Sequence, residues 1–265
     1  MKLALAQVDI AWEDKAINKE TTLQFIKQAS TEKVDMIFFP EMTLTGFSMN
    51  TSLIGENNNE TTEFFKEMSS KFNIFIGFGY VEGTTNSKNK YSVVAPSGEE
   101  LVNYTKIHPF SFGGEPEFYQ SGNQIEFFNA FDFTIAPFIC YDLRFPEVFQ
   151  IASKPATLIT VAANWPLGRR EHWITLLKAR AIENQCYIAG VNRVGKGNGL
   201  TYSGDSMIID PLGNIISSLY MEDGLIIADI CKSDVSHIRN NFSLKEDRKD
   251  GLYYNLYLSA IQGSK

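Results

Sequence analysis

Four apolar runs constrain the fold of this chain most: DMIFFP (35–40), IFIGFGYV (74–81), FTIAPFIC (133–140) and ATLITVAAN (156–164). Each is short, continuous and almost free of charge, the pattern of strands buried on both faces. Such strands need helices to cover them. The intervening sequence supplies candidates. Residues 19–31 place Leu23, Ile26, Lys27 and Gln28 at helical spacing, and residues 60–72 carry Phe64, Phe65 and Met68 on one face. Residues 170–184 give the clearest helix, with Trp173, Leu176, Leu177 and Ala181 on one side. Shorter helices are expected at 145–153 and 233–240.

Further strands are read at KLALAQVDI, YSVVAP, ELVNYTK, IEFFNA, YIAGVNRV, TYSGDSMIID, NIISSLY and GLIIADI. GTTNSKNK reads as a polar turn, and Asp210-Pro211-Leu212-Gly213 as another. The tail from Asn240 is polar with an aromatic cluster. No low-complexity linker interrupts the chain, so 265 residues are read as one α/β domain, residues 1–265. So many β runs require two sheets with helices on their outer faces.

Charge and cysteine usage exclude several classes. A net charge of −7 with no basic face argues against a nucleic-acid partner. No apolar stretch reaches the roughly 18 residues that span a bilayer, so no membrane partner is expected. The start MKLALAQVDIAWEDK turns acidic too early for a secretory signal, and the expected location is cytoplasmic. The three cysteines, Cys140, Cys186 and Cys231, include no CxxC pair, so neither a disulfide framework nor a zinc cluster is expected. Cys186 and Cys231 are read as core residues. GKGNG (195–199) is not a phosphate loop, because Gly197 rather than Ser or Thr follows Lys196.

Three polar residues share one setting. Glu41, Lys106 and Cys140 each follow a β run. Ligands in α/β sheets gather beyond the carboxyl ends of strands, so an acid, an amine and a thiol can meet there. Each also has an ordinary reading: a cysteine after an apolar strand as inert core, the Glu and Lys as solvated loop residues.

The sequence resembles the nitrilase, or carbon–nitrogen hydrolase, superfamily over nearly its whole length. The resemblance is carried by FFPEMTLTGF (38–47), YTKIHPF (104–110) and ICYDLRFPE (139–147), with ANWPLGRREHW (163–173), ARAIENQCYIAGVNRVG (179–195) and YSGDSMIIDPLGN (202–214) following in order. It implies a nitrilase-like four-layer α-β-β-α sandwich and a cysteine-dependent amidohydrolase. Cys140 would form a thioester, splitting the hydrolysis of a poorly electrophilic amide into two steps. Glu41 would take the thiol proton, pass one to the departing ammonia and activate the second-step water. Lys106 and the backbone N–H of Tyr141 would hold the oxyanion. Lys106 and the helix start near Phe145 would lower the Cys140 pKa. Glu115, rather than Glu117, fits a second glutamate because Tyr119 follows it by four residues; it would hydrogen-bond Lys106. Trp165 would line the pocket. Arg144 is read as a buttress of the nucleophile turn, and Arg169 and Arg170 either as forked donors for a substrate carboxylate or as a solvated pair before the helix at 170–184.

Within the superfamily, NWPLGRREHW, LKARAIENQ and VNRVG look most like the ω-amidase branch, which deamidates small dicarboxylic acid monoamides such as 2-oxoglutaramate. Pro109 in KIHPF and Lys249 in the tail depart from that branch's pattern. N-carbamoyl amino acids and deaminated glutathione are the alternative substrates, and nitriles rank last. A catalytically silent binding protein on the same fold is opposed by the joint presence of Glu41, Lys106 and Cys140. A thiol redox protein is opposed by the lack of a nearby resolving cysteine. The resemblance implies neither cofactor nor metal, a small-molecule amide as ligand, and a homodimer built on helices 145–153 and 170–184.

Overall fold

A computed structural model describes residues 1–262. The first half runs β1 (Lys2–Gln7), α1 (Lys15–Thr31), β2 (Met36–Phe38), α2 (Thr51–Ile54), α3 (Glu60–Phe72), β3 (Phe75–Glu82), β4 (Lys88–Val94) and β5 (Glu100–Thr105). The second runs β6 (Phe128–Ala130), β7 (Phe133–Ile139), α4 (Pro146–Ala152), β8 (Leu158–Ala163), α5 (Arg170–Asn184) and β9 (Tyr187–Asn192). It continues through β10 (Val194–Gly197), β11 (Leu200–Ile209), β12 (Ile215–Tyr220), β13 (Gly224–Asp229), α6 (Lys232–Asn241) and α7 (Asp250–Gln262).

Two mixed sheets result, ordered β13-β1-β2-β3-β4-β5 and β10-β11-β9-β8-β7-β6, with β12 beside β11. Each is built on three parallel strands, β1-β2-β3 and β7-β8-β9. Alternation along β1 explains the layering. Leu3 and Leu5 join the core between the sheets, whereas Ala4 and Ala6 pack with Phe25, Ile26 and Ala29 of α1 and Phe65 and Met68 of α3. On the other side, Phe149 and Ala152 of α4 and Trp173, Leu177 and Ala181 of α5 cover the second sheet. This is the four-layer α-β-β-α sandwich. Each fully buried Leu or Phe contributes about 1.5–3 kcal/mol of transfer free energy to it.

Several elements differ from the sequence reading. Helix α1 starts four residues before the expected Lys19, because the Asp14 side chain accepts from the Ile17 N–H at 3.0 Å and caps it. Its buried face includes Asn18 and Thr22, while Lys27 and Gln28 are exposed. Asn18 is accommodated because it bonds the backbone of Ala11 and Leu44. Strand β4 begins at Lys88, inside the segment read as a turn. Cys186 is buried, but Cys231 is exposed: β13 ends at Asp229, and Cys231 precedes the first turn of α6. The tail forms α7, whose residues 251–261 are all exposed.

Candidate active site

The ends of β2, β5, β7 and β8 converge. Glu41 sits in the turn after β2, which packs tightly against β3. A Cβ on Gly79 would stand 2.4 Å from the Met42 backbone nitrogen, so only glycine admits that approach. Lys106 follows β5 and Cys140 follows β7. Cys140 has φ +45°, a left-handed conformation unusual for a cysteine, and opens a 3₁₀ turn, Cys140–Arg144. Backbone held in this region is commonly found where a reactive side chain must be presented.

Lys106 is the centre of a buried charge cluster. Its Nζ donates to Glu41 Oε1 at 2.9 Å and to Glu115 Oε2 and Oε1 at 2.8 and 3.1 Å. All three side chains are at most 1% exposed. Asn89 Nδ2 bridges the two carboxylates, donating to Glu41 Oε1 at 2.8 Å and Glu115 Oε1 at 3.0 Å. The other Glu41 oxygen accepts from the Asn164 backbone N–H at 3.0 Å. Glu115 Oε2 also accepts from the Phe110 N–H at 2.5 Å. Glu117, by contrast, is exposed.

Electrostatics follow from this packing. Burial pulls Lys106 toward neutrality, but the Glu115 and Glu41 carboxylates outweigh it and hold the ammonium far above the usual lysine pKa. Burial, with Glu41 adding to it, raises the Glu115 carboxyl. The half-buried Cys140 thiol is also pushed well above its ordinary value, by burial first and then by the Glu41 charge; Lys106 opposes this without prevailing. The expected lowering of the thiol pKa is therefore reversed. One ammonium faces two carboxylates, so a thiolate would add a further negative charge to a buried site. Nor does a helix end compensate: the 3₁₀ turn separates Cys140 from α4, which begins at Pro146. Passing the thiol proton to Glu41 leaves the net charge unchanged, whereas losing it to solvent does not.

Cys140 and Lys106 share a cleft of ≈ 460 Å³, counting its open mouth, with Phe47, Phe110, Tyr141, Trp165 and Tyr202. Arg144 and Arg169 line it too. Arg144 lies 4.8 Å over the Trp165 ring and donates to His172 Nδ1 at 3.3 Å; Arg169 lies 5.3 Å over Phe110. No carboxylate pairs with either among the described residues, although Arg170, Arg180, Arg193 and Arg248 are all ion-paired. Arg170 is held by Asp205 at 2.8–3.1 Å rather than turned to a ligand. Arg180 donates to the Leu143 carbonyl at 2.7 Å and so holds the turn that follows Cys140; Arg144, expected to buttress it, lies 5.9 Å over the ring of the turn's Tyr141. No group of three or more His, Cys, Asp or Glu among the described residues is placed to hold a metal ion.

Sequence reasoning missed Asn89, Asn164 and Asp142. Asn164 carried a signal, since it too ends an apolar strand. Asn89 was hidden in a segment composed like a turn.

Residues 2–240 match the carbon-nitrogen hydrolase family model, and the chain belongs to that family. The membership supports hydrolase chemistry of the amidohydrolase kind. The chain is 37% identical over 217 residues to an omega-amidase YafV of Yersinia enterocolitica, covering 81% of this chain and 83% of that protein. It is 29% identical to a 2-oxoglutaramate amidase of Bacillus subtilis, covering 95% and 98%. Among solved structures it superposes on XC1258 of Xanthomonas campestris, a CN-hydrolase superfamily protein with an arsenic adduct in its active site. The TM-score is 0.89 at 29% identity, covering 94% of this chain and 97% of that one.

Proposed function

We propose that this protein is a cysteine-dependent ω-amidase that releases ammonia from a small amide bearing a carboxylate, with 2-oxoglutaramate the leading substrate. The observation carrying this reading is the cleft itself: Cys140 beside a charged Lys106 clasped by two glutamates, under two arginines without acidic partners. Glu41 takes the Cys140 proton as sulfur attacks the carbonyl, so no isolated thiolate is needed. Lys106 and the Tyr141 N–H stabilise the oxyanion. The C–N bond breaks as Glu41 returns the proton to the leaving amine, giving ammonia and a Cys140 thioester. Water, deprotonated by Glu41, then releases the acid and restores the thiol. Glu115 keeps Lys106 in place, and Arg144 and Arg169 receive the substrate carboxylate. The names of the two amidase relatives favour the same substrate.

The three unpaired cysteines suit a reducing cytoplasm. The exposed Ile151 of α4 and Ile182 of α5 suit a homodimer across those helices. The test is ammonia release from 2-oxoglutaramate, with succinamate, N-carbamoyl-β-alanine and deaminated glutathione in parallel, for wild type and Cys140→Ala. Turnover of 2-oxoglutaramate that disappears in the variant is expected. Preference for another amide would move the substrate, and activity in Cys140→Ala would overturn the mechanism.

A further inference from the structure

We propose that Asp142 and His108 form a positioning pair that fixes the Lys106 ammonium against the Cys140 thiol. The proposal rests on the roles assigned above to those two residues. Lys106 and Cys140 come from different sheets, after β5 and β7. The core between the sheets is apolar, and apolar packing is non-directional. Holding an ammonium and a sulfur in register across it requires directional bonds.

Asp142 supplies them. Its carboxylate is fully buried and accepts four hydrogen bonds. Oδ2 takes the Ile139 N–H at 3.0 Å, one residue before the nucleophile, and the Tyr104 hydroxyl at 2.8 Å, two residues before the lysine. Oδ1 takes the His108 N–H at 3.0 Å and the ring Nδ1 at 2.8 Å, two residues after the lysine. Three of these bonds cross from the nucleophile turn to the lysine segment and bracket Lys106 on both sides. The His108 ring is also stacked on Phe145 at 3.8 Å and 11°, which ties it to the residue following the nucleophile turn. An ionised carboxylate is acceptor-only and matches four donors; an amide in its place would turn an NH₂ group onto a backbone N–H, that of Ile139 or that of His108.

Displacing a reacting group by about 1 Å can cost roughly 10²-fold in rate without loss of binding. Because the His108 side chain is 25% exposed, its variants are the primary test. His108→Leu removes the ring donor, whereas His108→Asn keeps a donor near the Nδ1 position. With an amide that wild type turns over, His108→Leu is expected to lower kcat about 10- to 100-fold, with KM within threefold and the fold retained by circular dichroism. His108→Asn should recover kcat to within about fivefold of wild type, and Asp142→Asn should lose about 10²-fold or more. An unchanged kcat in His108→Leu, a loss carried by KM, or equal impairment of His108→Asn and His108→Leu would overturn the proposal. Wild type silent on every amide would instead overturn the amidase reading on which it stands.

Discussion

Replacing Glu115 by glutamine should slow catalysis while making the thiol more reactive. The carboxylate accepts from Lys106 on both oxygens, from Phe110 N–H on Oε2 and from Asn89 on Oε1. Whichever way the new side-chain amide turned, its NH₂ would face Lys106 and one other donor. Two bonds would be lost, one of them to a charged group. At about 1.5–3 kcal/mol for the charged bond and about 1 for the neutral one, the correctly held Lys106 is destabilised by roughly 2.5–4 kcal/mol. That corresponds to a fall of about 70- to 1000-fold in kcat/KM for ammonia release. The same substitution removes a negative charge that opposes thiolate formation at Cys140. Iodoacetamide labelling of Cys140, followed by intact mass at pH 8, should therefore be as fast as in wild type or faster. Turnover within threefold of wild type would refute the role of Glu115. A parallel loss of labelling and turnover would refute the electrostatic reasoning.

Other expectations follow from the same geometry. Arg169→Leu and Arg144→Leu should each raise KM for carboxylated amides about tenfold or more, with a much smaller effect on a neutral amide such as propionamide, measured by steady-state kinetics. Cys140 labelling should keep rising with pH beyond the ordinary thiol value of about 8.5, with no plateau there, because the folded thiol pKa is raised. The folded state retains the neutral thiol; folding is therefore penalised as pH climbs above the unfolded thiol value, seen as a melting temperature that falls more steeply than in Cys140→Ala, where the buried Cys186 still contributes. Arg170→Ala should leave KM unchanged but cost about 1–3 kcal/mol in denaturant unfolding, because it strips three donor bonds from the buried Asp205 carboxylate.

What could be read in the sequence was what repeats along it. The buried strands announce themselves as apolar runs, and the residues ending them, Glu41, Lys106 and Cys140, meet where α/β topology brings strand ends together. Asn164 obeys the same rule. Asn89 does not, because a polar strand at a sheet interior looks like a turn until its bonding partners are known. Asp142 lies in a visible polar patch, but its four donors come from residues up to 38 positions away. The role of Arg180 is hidden for a similar reason. Local sequence places Arg144 next to the nucleophile, while the residue that holds the turn, Arg180, arrives from α5. The raised thiol pKa is not legible in the sequence, because counting the nearby lysine omits burial and the two carboxylates beside it. Cys231 was misplaced because an apolar run continues past the last paired residue of β13.

The central claim is a covalent acyl-enzyme on Cys140. Rapid acid quench of wild type turning over 2-oxoglutaramate or succinamate, followed by peptide mass mapping, tests it most directly. The acyl mass, without the amide nitrogen, is expected on the peptide containing Cys140, with Lys106→Met forming it far more slowly and Cys140→Ala not at all. Steady ammonia release from Cys140→Ala, or an acyl group trapped on another residue, would contradict it.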